Sequence, residues 1–265
     1  MKYKAVISDL DGTLLHSNHK VSDYSKNVIK EIINKGVKFF IATGRHHMDA
    51  EYIRKNLGLD TILITSNGSR VHDIQRKELF AHDIDEKTVK DILEIEVDKE
   101  IYVNIYQGDK WFVEIENERF KEFHRESGFN YEIMDFKALE DYSASKVFFI
   151  CKDNKKLVGL KEKIEDRIHK KLNITFSTPQ CLEIMAPGIS KGATLKSVLH
   201  KYDIGLDEVI AFGDGLNDLE MLQLVGKGII MGNAHDELKK ALPQNEVTQS
   251  NDEDGVVKYL EKIFL

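Results

Sequence analysis

The sequence predicts an α/β fold: a doubly wound, mostly parallel, Rossmann-like core sheet with an inserted α+β cap domain. Short, continuously apolar runs alternate with helical patterns near both ends of the chain, which is typical of parallel strands covered on both faces. Between them, over residues 84–186, the apolar runs follow one another in antiparallel style. We therefore divide the chain into a discontinuous core, residues 1–83 and 187–265, and a cap, residues 84–186.

The first part of the core alternates between strands and helices. Lys4–Ser8 is a predicted strand, and Ser22 has the side chain of a helix N-cap. Val37–Ala42 is a second buried strand, His47–Leu57 a second helix and Thr61–Thr65 a third strand. This order is the one expected of a doubly wound sheet.

The pattern changes in the middle of the chain. Arg70–Asp83 is a predicted hairpin at the edge of the core. In the cap, Ile101–Tyr106 and Trp111–Ile115 are predicted strands joined by a turn at Gly108-Asp109. Two further cap strands are predicted over Lys146–Cys151 and Cys181–Met185.

The α/β alternation resumes after Pro187-Gly188. The predicted elements are helices over Lys191–Tyr202, Asn217–Leu224, His235–Ala241 and Val256–Phe264, with strands over Glu208–Phe212 and Gly228–Met231. The core is thus split in sequence, and the inserted cap could close over the ends of the core strands.

Composition excludes several classes of protein. The chain has 265 residues, 42% of them hydrophobic, and a formal net charge of −7, so no basic excess draws it to nucleic acid or an anionic membrane. It shows neither a membrane-spanning apolar stretch nor an N-terminal signal pattern. Its two cysteines, Cys151 and Cys181, lie in apolar runs typical of a reducing compartment. We expect a cytoplasmic protein with no obligate protein partner evident.

The chemistry is concentrated where predicted core strands end. Asp9 and Asp11 lie in an Asp-Leu-Asp-Gly-Thr run that follows the first strand, and Asp214 and Asp218 follow a later one. Ligands bind at this edge of an open α/β sheet. Carboxylates there suit Mg²⁺ and an attacking nucleophile. Alone, the first run could be a turn with an Asx bond, and the acid of the second could be a helix-start residue.

Two more segments complete a pattern that favours phosphoryl transfer. Thr43 offers a hydroxyl and an N–H to phosphate oxygens, and Gly44 lets the backbone approach closely. Lys191, at a predicted helix start, supplies a compact positive charge, although by itself it could be a solvated lysine. Asp11 would give a proton to the leaving alcohol and later take one from water, for which its pKa must be raised.

The four segments resemble the motifs of the haloacid dehalogenase superfamily of phosphotransferases, over nearly the whole chain. The cap lies where the Cof-type group of that superfamily has it, and the motifs are most similar to those of bacterial pyridoxal-phosphate and sugar-phosphate phosphatases. The pattern of the Cof-type group is matched at Ser66–Gly68, Gly188–Gly192, Phe212–Asp218 and Met231–Ala234. The closer resemblance is carried by Ala42–His47, Ile64–Asp73 and Lys146–Phe149.

The resemblance implies a role for each motif residue. Asp9 would be the nucleophile and a Mg²⁺ ligand, Asp11 the acid/base and a ligand through its backbone carbonyl, and Asp214 a further ligand supported by Asp218. Phosphate would be held by the Leu10 N–H, Thr43, Gly44, Lys191 and Asn217. The implied activity is Mg²⁺-dependent hydrolysis of small phosphomonoesters, such as pyridoxal 5′-phosphate or hexose phosphates, through an aspartyl-phosphate. A sugar phosphomutase and a non-catalytic phospholigand sensor remain the alternatives.

Several residues near the motifs keep two interpretations. Arg45 could pair with a cap acid or touch the ligand. His46 and His47 could face the substrate or the cap, begin a helix without further role, or bind a transition metal. Asn67 is a possible substrate or cap contact. In the cap, Trp111 and Tyr106 could stack on a flat ring or form cap core, and Gln180 and Glu183 are specificity candidates. We expect Asn251–Asp254 to be a solvated loop.

Overall fold

The computed structural model describes residues 2–117, 124, 127–169 and 171–265. The strands are β1 (Ala5–Ser8), β2 (Lys38–Ala42), β3 (Ile62–Thr65), β4 (Arg70–His72), β5 (Glu78–Ala81), β6 (Tyr102–Gln107), β7 (Lys110–Val113), β8 (Glu132–Ile133), β9 (Lys146–Ile150), β10 (Asn173–Thr178), β11 (Cys181–Met185), β12 (Val209–Gly213), β13 (Lys227–Ile230) and β14 (Glu246–Val247). The helices are α1 (Asp23–Asn34), α2 (His47–Leu57), α3 (Glu86–Leu93), α4 (Asn154–Arg167), α5 (Lys191–His200), α6 (Leu219–Leu224), α7 (Asp236–Ala241) and α8 (Gly255–Phe264).

The core sheet has the strand order β14-β13-β12-β1-β2-β3-β4-β5. Every pair from β14 to β3 is parallel, and β4 and β5 add an antiparallel edge. Ser8 at the end of β1 lies between Phe212 and Ile41, so the carboxyl ends of the three central strands meet at one edge. Their side chains are almost all buried because helices cover both faces, which explains the continuous apolar runs. The predicted α/β class with a doubly wound core is confirmed.

The second sheet has the order β10-β11-β9-β6-β7-β8 and is antiparallel except for β7 and β8. One face packs against α3 and α4 in an apolar core. The other face carries a separate aromatic cluster of Tyr106, Trp111, Val113, Tyr131 and Phe148. This α+β unit lies between the two halves of the core in sequence. Among the described residues, no helix is both long and apolar enough to cross a lipid bilayer.

The predicted helix over Asn217–Leu224 is present: it begins in a 3-10 helix over Leu216–Asp218 and continues as α6 from Leu219. One local prediction was wrong. The Asn251–Asp254 run is not a solvated loop. Asp254 accepts hydrogen bonds from the hydroxyls of Ser22 and Ser25 at the start of α1, at 2.6 and 2.8 Å. The reason is tertiary: these serines lie more than 200 positions away in the sequence, so no local pattern could indicate the contact.

Candidate active site

Asp9 begins a tight turn at the carboxyl edge of β1. Its N–H donates to the Phe212 carbonyl, which continues the β1–β12 pairing by one residue. The Asp9 and Leu10 carbonyls then accept from the N–H groups of Leu14 and Leu15, at 3.3 and 2.8 Å, and so reverse the chain. The turn buries Asp9 at the edge where the central strands end.

Lys191 joins two of the predicted site acids. Its Nζ lies 2.8 Å from Asp9 Oδ1 and 2.7 Å from Asp218 Oδ1, and its side chain is fully buried. The lysine is the first residue of α5, whose N-cap Ser190 accepts from the Ala193 N–H. Burial by itself lowers the pKa of Lys191, but the charges of Asp218 and Asp9 outweigh it and raise that pKa. Lys191 is therefore a permanent positive charge beside the candidate nucleophile.

Asp214 lies across the turn from Asp9. The Thr13 hydroxyl donates to Asp214 Oδ1 at 2.9 Å. Gly12 has φ of 72°, and a Cβ there would overlap the Asp214 carboxylate, so only glycine fits this turn. Burial, and next the charge of Asp218, raise the pKa of Asp214 to about 7. Burial is also the main cause that raises the pKa of Asp9, against the opposing charge of Lys191. The site thus gathers more negative charge than Lys191 balances.

This group of acids fits a hard divalent cation. Carboxylate oxygens of Asp9, Asp214 and Asp218 lie within 4.8 Å of one another. Asp218 is already occupied, because Oδ1 contacts Lys191 and Oδ2 accepts from the N–H groups of Asp214 and Gly215 at 3.0 and 3.1 Å. Asp9 and Asp214 are therefore the side chains better placed as ligands. Oxygen donors of this kind suit Mg²⁺, whose charge would stabilise the ionised carboxylates against the burial and the neighbouring negative charge that raise both pKa values.

Asp11 points away from this group and is held by Arg45. Arg45 Nε and Nη2 donate to Asp11 Oδ2 and Oδ1 at 2.7 and 2.6 Å, and Nη1 donates to Asp49 Oδ2 at 2.7 Å. Burial by itself lowers the pKa of Arg45. The charges of Asp11 and Asp49, and the hydrogen bonds to them, outweigh burial and raise that pKa. These two partners of Arg45 are core residues, and both interpretations of Arg45, contact with a cap acid and contact with the ligand, stay predictions. Asp49 Oδ2 in turn lies 3.1 Å from Nδ1 of His124, a residue of the segment that joins β7 to β8.

The Thr43-Gly44 segment presents fewer donors than expected. The Thr43 N–H donates to the Ile64 carbonyl at 2.8 Å, because β2 keeps pairing with β3 one residue beyond its end. The expectation that this N–H meets phosphate is therefore wrong for the conformation seen here. The Thr43 hydroxyl accepts from the Arg45 N–H at 3.1 Å and keeps its own proton for another acceptor.

Two buried cap residues reach this segment, and neither was singled out as a phosphate-site residue. Lys146 Nζ, on β9, donates to the Gly44 carbonyl and to Glu183 Oε1, both at 2.6 Å. Asn67 Nδ2 donates to Glu183 Oε2 at 2.9 Å, and Asn217 Nδ2 donates to Asn67 Oδ1 at 3.1 Å. In the sequence, each of the two cap residues stands as a charge inside an apolar strand, Lys146 lies in a segment that carries the closer resemblance, and Glu183 is a specificity candidate. The contacts themselves could not be predicted, because they cross from the cap sheet to loops of the core.

His46 and His47 contact the cap turn between β6 and β7. His46 Nδ1 accepts from the Met48 N–H, so the neutral ring carries its proton on Nε2 and donates to the Gly108 carbonyl at 2.9 Å. His47 Nε2 lies 2.9 Å from Asp109 Oδ1. Burial lowers the pKa of both histidines. In the part of the chain that the structure describes, the three acids above are the only group with metal-ligand spacing, so a transition-metal role for the pair has no support.

A cavity of about 540 Å³ lies between the core edge and the cap sheet. The core contributes Asp9, Asp11, Asp214 and the Thr43–Arg45 loop. The cap contributes Tyr106, Trp111, His124, Lys146, Phe148, Ile150, Ser177, Thr178, Gln180, Cys181 and Glu183. Trp111 and Tyr106 belong to the aromatic cluster of the cap, and they also line the cavity. Their two interpretations, cap core and contact with a flat ring, are therefore compatible.

Comparison with known proteins decides the family. The sequence model of one family, described as haloacid dehalogenase-like hydrolase, matches residues 6–260 of this chain. This chain belongs to the haloacid dehalogenase-like hydrolases. It is 33% identical over 258 residues to an HMP-PP phosphatase of Yersinia pseudotuberculosis, covering 97% of this chain and 94% of the relative. Its relatives are named phosphatases, and the chain is a phosphoric monoester hydrolase of this family.

Solved structures agree with this assignment. A haloacid dehalogenase-like hydrolase from B. subtilis superimposes with a TM-score of 0.87 at 28% identity, covering 97% of this chain and 99% of that one. A subclass IIB sugar phosphatase superimposes with a TM-score of 0.82 at 25% identity, covering 98% of both chains. Members of this hydrolase family generally use Mg²⁺ and act on small phosphorylated metabolites, which agrees with the acidic group in the site.

Proposed function

We propose that this hydrolase is a Mg²⁺-dependent phosphatase that works through an aspartyl-phosphate on Asp9. The observation that carries the proposal is the contact of Asp9 with Lys191, next to Asp214, at the floor of a cavity covered by the cap. A phosphate dianion repels an attacking carboxylate, so a nucleophile in this place needs local positive charge. Lys191 supplies part of it. Mg²⁺, held by Asp9, Asp214 and the Asp11 carbonyl, would supply the rest and polarise the phosphoryl oxygens.

The chain's own groups then account for two successive displacements. A carboxylate oxygen of Asp9 forms a bond to phosphorus while the bond from phosphorus to the ester oxygen breaks. Asp11 would have to be protonated and released from its two contacts with Arg45, and it then gives its proton to the leaving oxygen. Water next attacks the aspartyl-phosphate, Asp11 takes the proton of that water, and phosphate and the Asp9 carboxylate are regenerated. Lys191, the Thr43 hydroxyl, Asn217 and the N–H groups of Leu10 and Gly44 would hold the phosphoryl oxygens through both steps.

Residues 84–186 would act as the lid of this site, over a core of residues 1–83 and 187–265. The contacts of Lys146 with Gly44 and of Asp109 with His47 tie this unit to the core edge and enclose the cavity. Water must be kept from the first displacement and admitted to the second, so the lid would close for one and open for the other.

Small phosphomonoesters are the proposed substrates, with pyridoxal 5′-phosphate and hexose phosphates as the first candidates. A relative named an HMP-PP phosphatase and a neighbour named a sugar phosphatase support a small phosphorylated metabolite. A phosphate-release screen over sugar phosphates, nucleotides, phospholipid head groups and pyridoxal phosphate tests the proposal. Release from at least one small ester supports it. Isomerisation of a sugar phosphate without net release would favour a mutase, and binding without turnover would favour a sensor.

The raised pKa of Asp214 makes a prediction about metal binding. Its pKa of about 7, caused first by burial, means that the metal-free carboxyl keeps a proton below that pH. Mg²⁺ needs the carboxylate, so this proton must leave on binding. We expect Mg²⁺ affinity to weaken as the pH falls below about 7, by up to about tenfold per pH unit for each proton released. Calorimetric titration with Mg²⁺ between about pH 5 and pH 8 measures it, and a pH-independent affinity would contradict it.

Arg45 is proposed as a positioning residue for Asp11, since it holds both oxygens of that carboxylate. We expect Arg45→Lys to lower kcat by roughly 10- to 100-fold with a small change in KM, because an ammonium cannot replace the two-pronged contact. Steady-state kinetics measure the split. The matched control is Arg76→Lys, since the Arg76 side chain is 64% exposed. An unchanged kcat in Arg45→Lys, or a loss carried entirely by KM, would contradict this role.

A further inference from the structure

The cap sheet turns one ordered face toward the cavity. Residues that pair directly across neighbouring strands point to the same side of a sheet. Three such rows form this face: Tyr102, Ile150 and Cys181; Asn104, Phe148 and Glu183; and Trp111, Tyr106 and Lys146. The face is mainly apolar, with three aromatic side chains, Tyr106, Trp111 and Phe148, that line the cavity.

The charged groups of this face are already paired. Lys146 and Glu183 bind each other, and their remaining contacts go to Gly44 and Asn67. Both side chains are buried. The Trp111 indole N–H donates to Asn104 Oδ1 at 3.0 Å. A sugar ring placed against this face would lose the water on its hydroxyls, and the charged groups and the indole N–H, being engaged already, would not replace that water, which is costly.

The three aromatic side chains of this face, Tyr106, Trp111 and Phe148, form an aromatic wall, which also lies close to the Thr43–Arg45 loop. Lys146 Nζ is 2.6 Å from the Gly44 carbonyl and 4.6 and 4.8 Å from the ring centroids of Phe148 and Tyr106. One ammonium group therefore touches both. A ring joined to its phosphate by a single methylene could rest on the wall while the phosphate lies beside Thr43 and Gly44. Polar side chains at the β10–β11 turn, Ser177, Thr178 and Gln180, line another part of the cavity and could meet substituents on the ring edge.

We infer that the cap selects phosphomonoesters whose leaving group is a flat aromatic ring, with Phe148, Tyr106 and Trp111 as the specificity-determining residues, over those of sugars. The inference rests on the proposed phosphatase function and narrows its substrate class. Offset or edge-to-face contacts give an aromatic ring an advantage over a saturated ring of similar apolar area. Shape and polarity together therefore decide the preference.

Three esters separate the effect of ring shape from that of ring polarity: benzyl phosphate, cyclohexylmethyl phosphate and glucose 6-phosphate. The first two share a ring of six carbons and one methylene, and they differ in planarity and π electrons. We expect kcat/KM for benzyl phosphate to exceed that of glucose 6-phosphate by about tenfold or more, and that of cyclohexylmethyl phosphate by about three- to tenfold. Equal values for the two ring esters, or a preference for the sugar, would overturn the inference.

Neighbouring phenylalanines provide a matched pair of variants. Phe148 lies on the cavity face, whereas Phe149 packs into the apolar core on the opposite face. Phe148→Leu should lower the ratio of kcat/KM for benzyl to cyclohexylmethyl phosphate about threefold or more, and Phe149→Leu should leave that ratio as in the parent. Tyr106→Leu is the second cavity variant, should Phe148→Leu fail to fold. A ratio that does not move in a folded cavity variant would contradict the assignment.

Failure of the phosphatase proposal would look different. If no ester is hydrolysed in the presence of Mg²⁺, the proposed function is contradicted. The preference for an aromatic ring is then measured as a difference in binding affinity. Calorimetry with benzylphosphonate and cyclohexylmethylphosphonate, in the parent and in Phe148→Leu, gives the same comparison without turnover. Tighter binding of the aromatic phosphonate that Phe148→Leu abolishes supports the inference, and equal binding of the two phosphonates overturns it.

Discussion

Asp9→Asn is expected to abolish phosphate release, with a loss of kcat on the order of 10⁴-fold or more. The amide cannot form the acyl-phosphate bond, and it offers a weaker contact to Lys191, now 2.8 Å from the carboxylate. Burial and the charges of Asp218 and Asp214 already raise the pKa of Asp9, so removing this charge should not unfold the core. Phosphate release from the best ester of the screen measures the loss.

The controls separate chemistry from folding. Asp60→Asn makes the same change at an exposed site and should keep the parent's activity. Circular dichroism and thermal unfolding should show Asp9→Asn folded, with a Tm close to that of the parent. Substantial turnover by the purified Asp9→Asn protein would remove Asp9 from the role of nucleophile.

Removal of the metal is expected to have the second largest effect. Dialysis against EDTA should reduce kcat by roughly 10³-fold or more, and added Mg²⁺ should restore it, because Lys191 alone does not balance Asp9, Asp214, Asp218 and a phosphate dianion. The raised pKa values of Asp9 and Asp214 agree with this: burial is the main cause of both, and the charge of Asp218 adds to it.

A variant of the second ligand sharpens this test. Asp214→Asn keeps the size of the side chain and removes one negative ligand, so we expect it to need more Mg²⁺ for half-maximal activity than the parent. Asp60→Asn again serves as the unaffected comparison. Full activity of the parent in metal-free buffer, or an unchanged Mg²⁺ requirement in Asp214→Asn, would count against the proposed metal site.

The sequence was sufficient for the core fold and for the grouping of the acidic motif residues. Continuous apolar runs such as Val37–Ala42 indicated parallel strands buried on both faces, and polar residues directly after them indicated the functional edge. Asp9, Asp214 and Asp218 lie together because they follow β1 and β12, neighbouring parallel strands whose carboxyl ends share that edge. The grouping of these acids follows from topology, without knowledge of side-chain conformations. Lys191 joins them from the start of α5, which follows a strand of the second sheet.

The contacts that shape the site could not be predicted in the same way. The Thr43 N–H is engaged because β2 and β3 pair one residue further than the apolar run suggested. Arg45 binds Asp11 and Asp49, and these contacts are set by side-chain geometry. Lys146 meets Gly44 across 102 positions of sequence, and this contact depends on how the cap sheet lies over the core.

The most direct test of the central claim is a search for phosphate on Asp9 during turnover. The parent protein is mixed with the best ester of the screen and Mg²⁺, quenched in acid within one turnover, and analysed by mass spectrometry of its peptides. The proposed chemistry predicts a mass gain of one phosphoryl group on the peptide that contains Asp9, absent from Asp9→Asn and lost on treatment with hydroxylamine. Turnover of the ester with no phosphorylated Asp9 peptide, or with the phosphoryl group on another residue, would contradict it.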